Sequence, residues 1–548
     1  MIQKYWSPLL FTFIWAILVV TAISLRPALP VDETRYLAVA WEMWLHGDYI
    51  VPHLNGETYS HKPPLLFWVM NMGWAIFGVN EWWPPLVAPL FALACLFLTR
   101  AMAQKLWPDD QRIADYAPIV LLGAAFWTVF TTVTMFDMLV AACTMWGLLG
   151  ILDVWREGGT KGWIHLALAI GFGILAKGPV ILLQILPLAL LLPLWDREGL
   201  VKSHYNGLKT WYIRILFSVL GGAVIGLAWA VPAGIYGGEE YRNAIFWGQT
   251  AGRVVESFAH ARPWWWYLAV IGPLLLPWAI WPTLWRSAFR SLKSLWQNSA
   301  DRFCILWFVP IFVAFSLISG KQLHYLLPIF PACAFLIARW VLNSDIADSR
   351  LGRLLPAGFM IVVTVLAMVL PYVSHKKLPG WVADVPGFWM GVPFVIALYL
   401  VVRVIKDNKQ SLIGLSVMMG SFVVALHFAL APYLEEEFDL HGLSRALKTY
   451  QDDGYDVAFV GTYHGTFQFL GRLEKPIAEL TSNRTGISIA DWVKEHPKSK
   501  VITLWKRPAP DHPGVDYVEG FRGGHFIVFD TAKVEDQKIL YRRGKLKK

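Results

Sequence analysis

"WSPLLFTFIWAILVVTAISLRPALPVDETRY" (residues 6–36) changes character within a few positions, and that change decides the fold. Its first part is an apolar run long enough to cross a bilayer, since about 20 apolar residues span the hydrocarbon core. At the end of the run stand Asp32, Glu33 and Arg35. "GDYIVPHLNGETYSHKPPLLFWV" (residues 47–69) then adds Tyr59, His61 and Lys62 before a second apolar segment. A linker needs none of these side chains. Ionisable groups this close to hydrocarbon are costly, and they point to function.

The rest of the chain repeats the first theme. Of 548 residues, 56% are hydrophobic and only 16% charged, against about 25% charged in a soluble protein. This is the composition of a polytopic α-helical membrane protein. Candidate spans centre near residues 16, 91, 120, 144, 169, 187, 222, 275, 311, 332, 363, 396 and 422, about thirteen in all. The formal charge of +9 is spread among short loops and does not describe a nucleic-acid binder. Cys95, Cys143, Cys304 and Cys333 fall in apolar stretches without metal-ligand spacing and read as small buried hydrophobes. The first span, with no small-residue cleavage site after it, reads as retained and not as a signal peptide.

Orientation follows from Lys and Arg in alternate short loops. Clusters such as Arg100, Lys105 and Arg112, Arg286, Arg290, Lys293 and Arg302, and Arg339, Arg350 and Arg353 mark the cytoplasmic side. The N-terminus is then inside and, with an odd number of spans, everything after about 432 outside. Residues 1–432 are expected to form the transmembrane domain, with exterior juxtamembrane helices at about 27–80. Residues 433–548 read as a small exterior α/β domain: "YDVAFVG", "KVITLW" and "HFIVFD" are strand-like, and "GLSRALKTYQDDG" is helical. The basic tail "YRRGKLKK" reads as a solvated extension.

Residues 33–46 carry Tyr36, Val39, Ala40, Met43 and Trp44 on one side, as in a helix lying flat on a membrane surface. Asp32 at its start fits an N-cap or a local ion pair with Arg35. Lys62, before Pro63 and Pro64, fits a snorkelling lysine as well as a site. Further along, "TMFDMLVAAC" puts Asp137 at an exterior span end, "GILAKGPVILL" puts Lys177 at another, and "SGKQLHYLLP" puts Lys321, His324 and Tyr325 at a third. Each has an ordinary explanation; several on one face of a membrane are harder to dismiss. Outward cations beside the acyl region (Arg35, Lys62, Lys177, Arg253, Lys321) suit a lipid phosphate. They would also stabilise charge building on a departing phosphate. Asp32 could act as general base on an acceptor hydroxyl, or orient groups if the acceptor is itself a phosphate.

At this point "PVDETRY" followed by "GDYIVPHLNGETYSHKPPLLFWV" resembles the membrane glycosyltransferases that use polyprenyl-phosphate sugars. The pattern is most similar to the bacterial 4-amino-4-deoxy-L-arabinose transferases that modify lipid A, kin to the protein O-mannosyltransferases. The resemblance covers roughly residues 1–340 and implies a GT-C type fold. It implies Asp32 as the catalytic carboxylate and Asp137 as a second acidic position. Arg35, Tyr59, Lys62, Lys177, Arg253 and Tyr325 match positions that handle the donor phosphate, and Lys321 lies beside the last of them. His260, in "AHARPWWWY", aligns with a histidine of an exterior loop; Glu33 and His61 are candidate substrate contacts. His61 stands where the family often has Glu, and "GQTAGR" replaces a more charged segment.

The function expected is transfer of a sugar from a polyprenyl-phosphate donor to an envelope acceptor, foremost lipid A, on the periplasmic face of the inner membrane. The partners expected are the lipid-linked donor, the acceptor and membrane lipids, with no nucleic acid. No cofactor is expected: His61, His260 and His324 show no HxH or HExxH spacing, so no metal site is assigned. A protein acceptor is the nearest alternative. A lipid or sugar transporter is another, opposed by the lack of an internal repeat or of paired interrupted spans.

Overall fold

The structure, a computed structural model, describes the chain apart from residues 1, 206, 253–260, 293, 347, 374–379, 404–406, 481–487, 507–508, 537–538 and 541–548. The described residues form two compact units, each drawn from several stretches of chain. One comprises Met1–Ser24, Ser60–Leu66 and Pro85–Ala429; the other Leu25–Tyr59, Phe67–Pro84 and Leu430–Lys548.

The first unit is helical throughout. Among the described residues, eight helices are long and apolar enough to cross a membrane, from Trp6–Leu25 to the one beginning at Asn408. Shorter apolar helices, such as Gln111–Leu122 and Val180–Leu190, complete the bundle. Each of the thirteen expected centres falls in or within one residue of a helix, and five of those helices are shorter than a full span. This is a polytopic membrane protein.

Lipid is as apolar as leucine, so helices in it associate by close packing through small residues. The Phe136–Glu157 helix, buried along most of its length, meets the Lys161–Lys177 helix this way. A Cβ on Gly162 would lie 2.2 Å from the Gly150 carbonyl oxygen, so only glycine allows the approach. The Leu208–Tyr236 helix closes on the same partner by setting Gly222 against Ile170 and Gly226 against Ile174.

One internal polar network stands out in this unit. Arg353, among the residues whose charges suggested a cytoplasmic loop, is 1% exposed and ion-paired at 3.1 Å with Asp348, which is fully enclosed. Arg353 also donates to the carbonyls of Leu400 and Arg403. Asp348 accepts from Thr283, Ser411 and the Trp281 indole. Such a network rigidifies only when its partners are complete.

The second unit carries a five-stranded sheet in the order β4-β3-β5-β7-β6. β3 (Asp456–Val460), β5 (Ser499–Trp505) and β7 (Gly524–Asp530) are the three runs expected from sequence. β4 (Ala478–Leu480) and β6 (Val515–Phe521) are additional; both are only partly buried and lie at the sheet edges. β3 runs parallel to β4 and β5, while β5, β7 and β6 are antiparallel.

The Asp32–His46 helix belongs to this unit. Glu33, Thr34 and every residue from Tyr36 to Met43 in it are buried. Its Trp41 indole donates to the Leu473 carbonyl at 2.9 Å. Beside it a small hairpin pairs β1 (His53–Leu54) with β2 (Glu57–Thr58). Asn55 and Gly56 turn this hairpin with φ of 58° and 82°, a conformation that favours the Asn-Gly pair.

Candidate active site

Within the helical unit, three distant stretches bring their charged ends together. Asp137 opens the Phe136–Glu157 helix, Lys177 closes the Lys161–Lys177 helix, and His324 and Tyr325 lie in the turn Leu323–Ile329. The Lys177 ammonium is 2.6 Å from Asp137 Oδ1, and His324 Nε2 is 3.9 Å from Asp137 Oδ2. Lys177 also lies 4.7 Å from the centre of the Tyr325 ring, a cation–π distance. Lys62 reaches the same neighbourhood: its ammonium is 5.8 Å from the Phe136 ring centre. Glycine explains the geometry at one corner, because Gly178 turns the chain out of its helix with φ of 76°.

Next to this cluster is a cavity of about 300 Å³. Ser60, His61, Lys62 and Lys177 supply its polar lining, and Leu227 and Phe246 belong to its apolar walls. The Leu208–Tyr236 helix contributes Ala223, Gly226 and Ala230, whose small side chains leave the space open. A cavity lined by two lysines and by apolar side chains makes a place for an anion attached to a hydrocarbon chain.

Lys321 is placed differently from its neighbours. It is buried, and its ammonium donates to the backbone carbonyls of Ile318 and, at 3.0 Å, Arg262. The first of those carbonyls belongs to the C-cap of the Ser299–Leu317 helix.

The remaining candidates lie in the second unit. Asp32 is the first residue of its helix, with Val31 as N-cap; its carboxylate is exposed and 3.9 Å from Arg35. The Arg35 side chain is largely buried, and its Nε has no hydrogen-bond partner among the described residues. Glu33 points elsewhere: both its oxygens engage Arg26, at 2.9 Å for Oε1, and Oε2 accepts the Leu29 N–H. That is a structural pairing. Tyr59 is buried edge-on against Phe67, with its N–H bonded to the Pro52 carbonyl. Arg253 and His260 lie outside the described residues. Among the described residues, no three His, Cys, Asp or Glu side chains gather as a metal site would require.

His324 is the residue sequence left without a role. It was visible beside Lys321 and Tyr325, but only the fold puts its imidazole on Asp137.

The chain has the GT-C fold of membrane glycosyltransferases. It is similar to the crystal structure of ArnT from Cupriavidus metallidurans bound to undecaprenyl phosphate, with a TM-score of 0.72 at 19% identity over 99% of this chain and 100% of that one. Residues 61–229 match the family described as dolichyl-phosphate-mannose-protein mannosyltransferase.

By sequence, the chain is a relative of the undecaprenyl phosphate-alpha-4-amino-4-deoxy-L-arabinose arabinosyl transferases. It is 27% identical over 418 residues to transferase 1 of Pseudomonas fluorescens strain Pf-5, covering 73% of this chain and 71% of that protein. It is 31% identical over 363 residues to transferase 1 of P. fluorescens strain Pf0-1, covering 63% and 60%. With the transferase of P. aeruginosa strain UCBPP-PA14 it shares 29% over 362 residues, covering 64% and 61%. The match spans under two thirds of the last two relatives' length. These similarities point to the same transferases as the resemblance in residues 31–69.

Proposed function

We propose that this protein is a glycosyltransferase that takes a sugar from an undecaprenyl-phosphate donor and attaches it to lipid A at the periplasmic face of the inner membrane. The observation that carries this reading is a cavity lined both by Lys62 and Lys177 and by apolar residues of the Leu208–Tyr236 helix. The names of the similar transferases supply the donor, and the resemblance supplies the acceptor. The Lys/Arg distribution supports a cytoplasmic N-terminus and an exterior residue 433–548 domain.

The proposed roles follow from charge. Lys62 and Lys177 hold the donor phosphate and stabilise the charge it gains as the glycosidic C–O bond breaks. Asp137, with Lys177 on one side and His324 on the other, fixes the Lys177 ammonium where the phosphate arrives. Asp32 takes the acceptor proton if a hydroxyl attacks, and orients the acceptor if a phosphate oxygen attacks. Displacement at the anomeric carbon releases undecaprenyl phosphate.

Native mass spectrometry of the purified protein with undecaprenyl phosphate tests the donor assignment. One bound lipid is expected in the wild type and none in Lys62→Ala/Lys177→Met. Equal occupancy in both would reject it.

A further inference from the structure

In the second unit, the helix carrying Asp32 and Arg35 is held by residues from the far end of the sequence. Between β3 and the short helix Gln468–Gly471 runs a loop, Gly461–Phe467. Gly465, at φ of 73°, sits directly on the Asp32 helix: a Cβ there would lie 2.7 Å from Ala38 Cβ and 2.5 Å from Leu54 Cδ1. Three residues on, Gln468 Nε2 donates to Glu42 Oε1 at 2.6 Å. The Asn55 and Gly56 N–H groups bond the same carboxylate. At the helix's other end, Arg522 donates to the Pro30 carbonyl, two residues before Asp32.

We propose that Gly465 and Gln468 are positioning residues for sugar transfer, setting the place of Asp32 and Arg35 through the Asp32–His46 helix. The inference rests on the reading of Asp32 and Arg35 as members of the transfer site. The physical argument is rigidity: an α-helix rises 1.5 Å per residue as one hydrogen-bonded rod, so whatever fixes Ala38 and Glu42 fixes its first turn. The same loop brings His464 into the electrostatic range of both Asp32 and Arg35, and burial together with Arg35 pushes its imidazole pKa down. The carboxy-terminal sheet is thereby a working part of the catalytic machinery.

Carbon atoms pack at about 3.5–4.0 Å, so alanine at 465 must push the helix or the loop by about 1 Å. A displacement of that size can cost about 100-fold in rate. In full-length protein reconstituted with a polyprenyl-phosphate sugar and lipid A, Gly465→Ala is expected to lower kcat by about 10- to 100-fold. Because Arg35 is a candidate donor-phosphate contact, the donor KM should rise as well, by no more than it rises in Arg35→Ala. Gln468→Ala should move kcat and KM in the same directions. Gly454→Ala is the control: Gly454 has the same kind of backbone, φ of 79°, but its nearest neighbour is the tip of Lys498 at 3.7 Å. It should keep wild-type kcat.

Wild-type kcat in folded Gly465→Ala and Gln468→Ala, or an equal loss in Gly454→Ala, would overturn the proposal. If Gly465→Ala does not fold, Gln468→Ala decides. Asp32→Asn separates the two levels. If it retains full activity, the underlying site reading fails; if it is dead while both positioning variants are normal, only this inference fails.

Discussion

Breaking the Lys177–Asp137 pair one side at a time, and then on both sides, separates what the pair does for stability from what it does for transfer. The pair is nearly enclosed, with side-chain exposures of 13% and 5% and a separation of 2.6 Å. At an effective dielectric of about 20 the direct attraction at that separation is about 6 kcal/mol, and desolvation of two ions takes most of it back. Removing one partner leaves a buried charge and costs about 3–5 kcal/mol, whereas removing both is close to neutral. Lys177→Met should fall at the low end, because Asp137 retains His324 at 3.9 Å. Equilibrium unfolding in mixed micelles, followed by the fluorescence of the 30 tryptophans, reads the cycle. The double variant Lys177→Met/Asp137→Asn should recover most of the stability lost by either single change and still transfer no sugar. Additive penalties would refute the coupling. A double variant that transfers at the wild-type rate would refute the donor role of Lys177.

Lys62→Ala removes a charge-assisted contact worth about 1.5–3 kcal/mol. Affinity for undecaprenyl phosphate should fall about 10- to 100-fold, measured by titration into protein-loaded nanodiscs, with unfolding unchanged. Arg353→Met strands the enclosed Asp348 carboxylate and should destabilise the protein by about 3–5 kcal/mol, while the donor KM of the surviving fraction stays normal. His441 contacts Glu81 at 2.8 Å and Asp439 on its other side, and these hydrogen bonds hold its pKa up to about 9 from an ordinary 6.5. A raised folded pKa stabilises fully below 6.5 and is lost as pH rises through about 9. The stability advantage of wild type over His441→Gln should therefore shrink across that window in pH-dependent melting; a constant advantage would contradict it.

What sequence conveyed and what it hid divide along physical lines. Helix positions were legible because each helix must be apolar by itself, whatever it packs against. The cluster of Asp137, Lys177 and Tyr325 was legible as separate charges at helix ends, since each is costly there on its own account. The partners of other candidates were not legible: the Lys321 ammonium bonds carbonyls 3 and 59 residues away, and Glu33 pairs with Arg26, seven residues earlier. The protein contacts of the Asp32 helix were not legible locally: Trp41 meets Leu473, 432 residues on, and no pattern within one helix names so distant a partner. The edge strands β4 and β6 escaped for a related reason: half-exposed strands lack the unbroken apolar runs that revealed β3, β5 and β7.

If this chain moves a sugar from an undecaprenyl-phosphate carrier onto lipid A, lipid A itself records the transfer. Mass spectrometry of lipid A from cells lacking the protein, and from the same cells carrying the wild type or Lys62→Ala/Lys177→Met, measures it directly. A species heavier by one sugar is predicted with the wild type and neither in its absence nor with the double variant. Identical lipid A in all three strains would contradict the account.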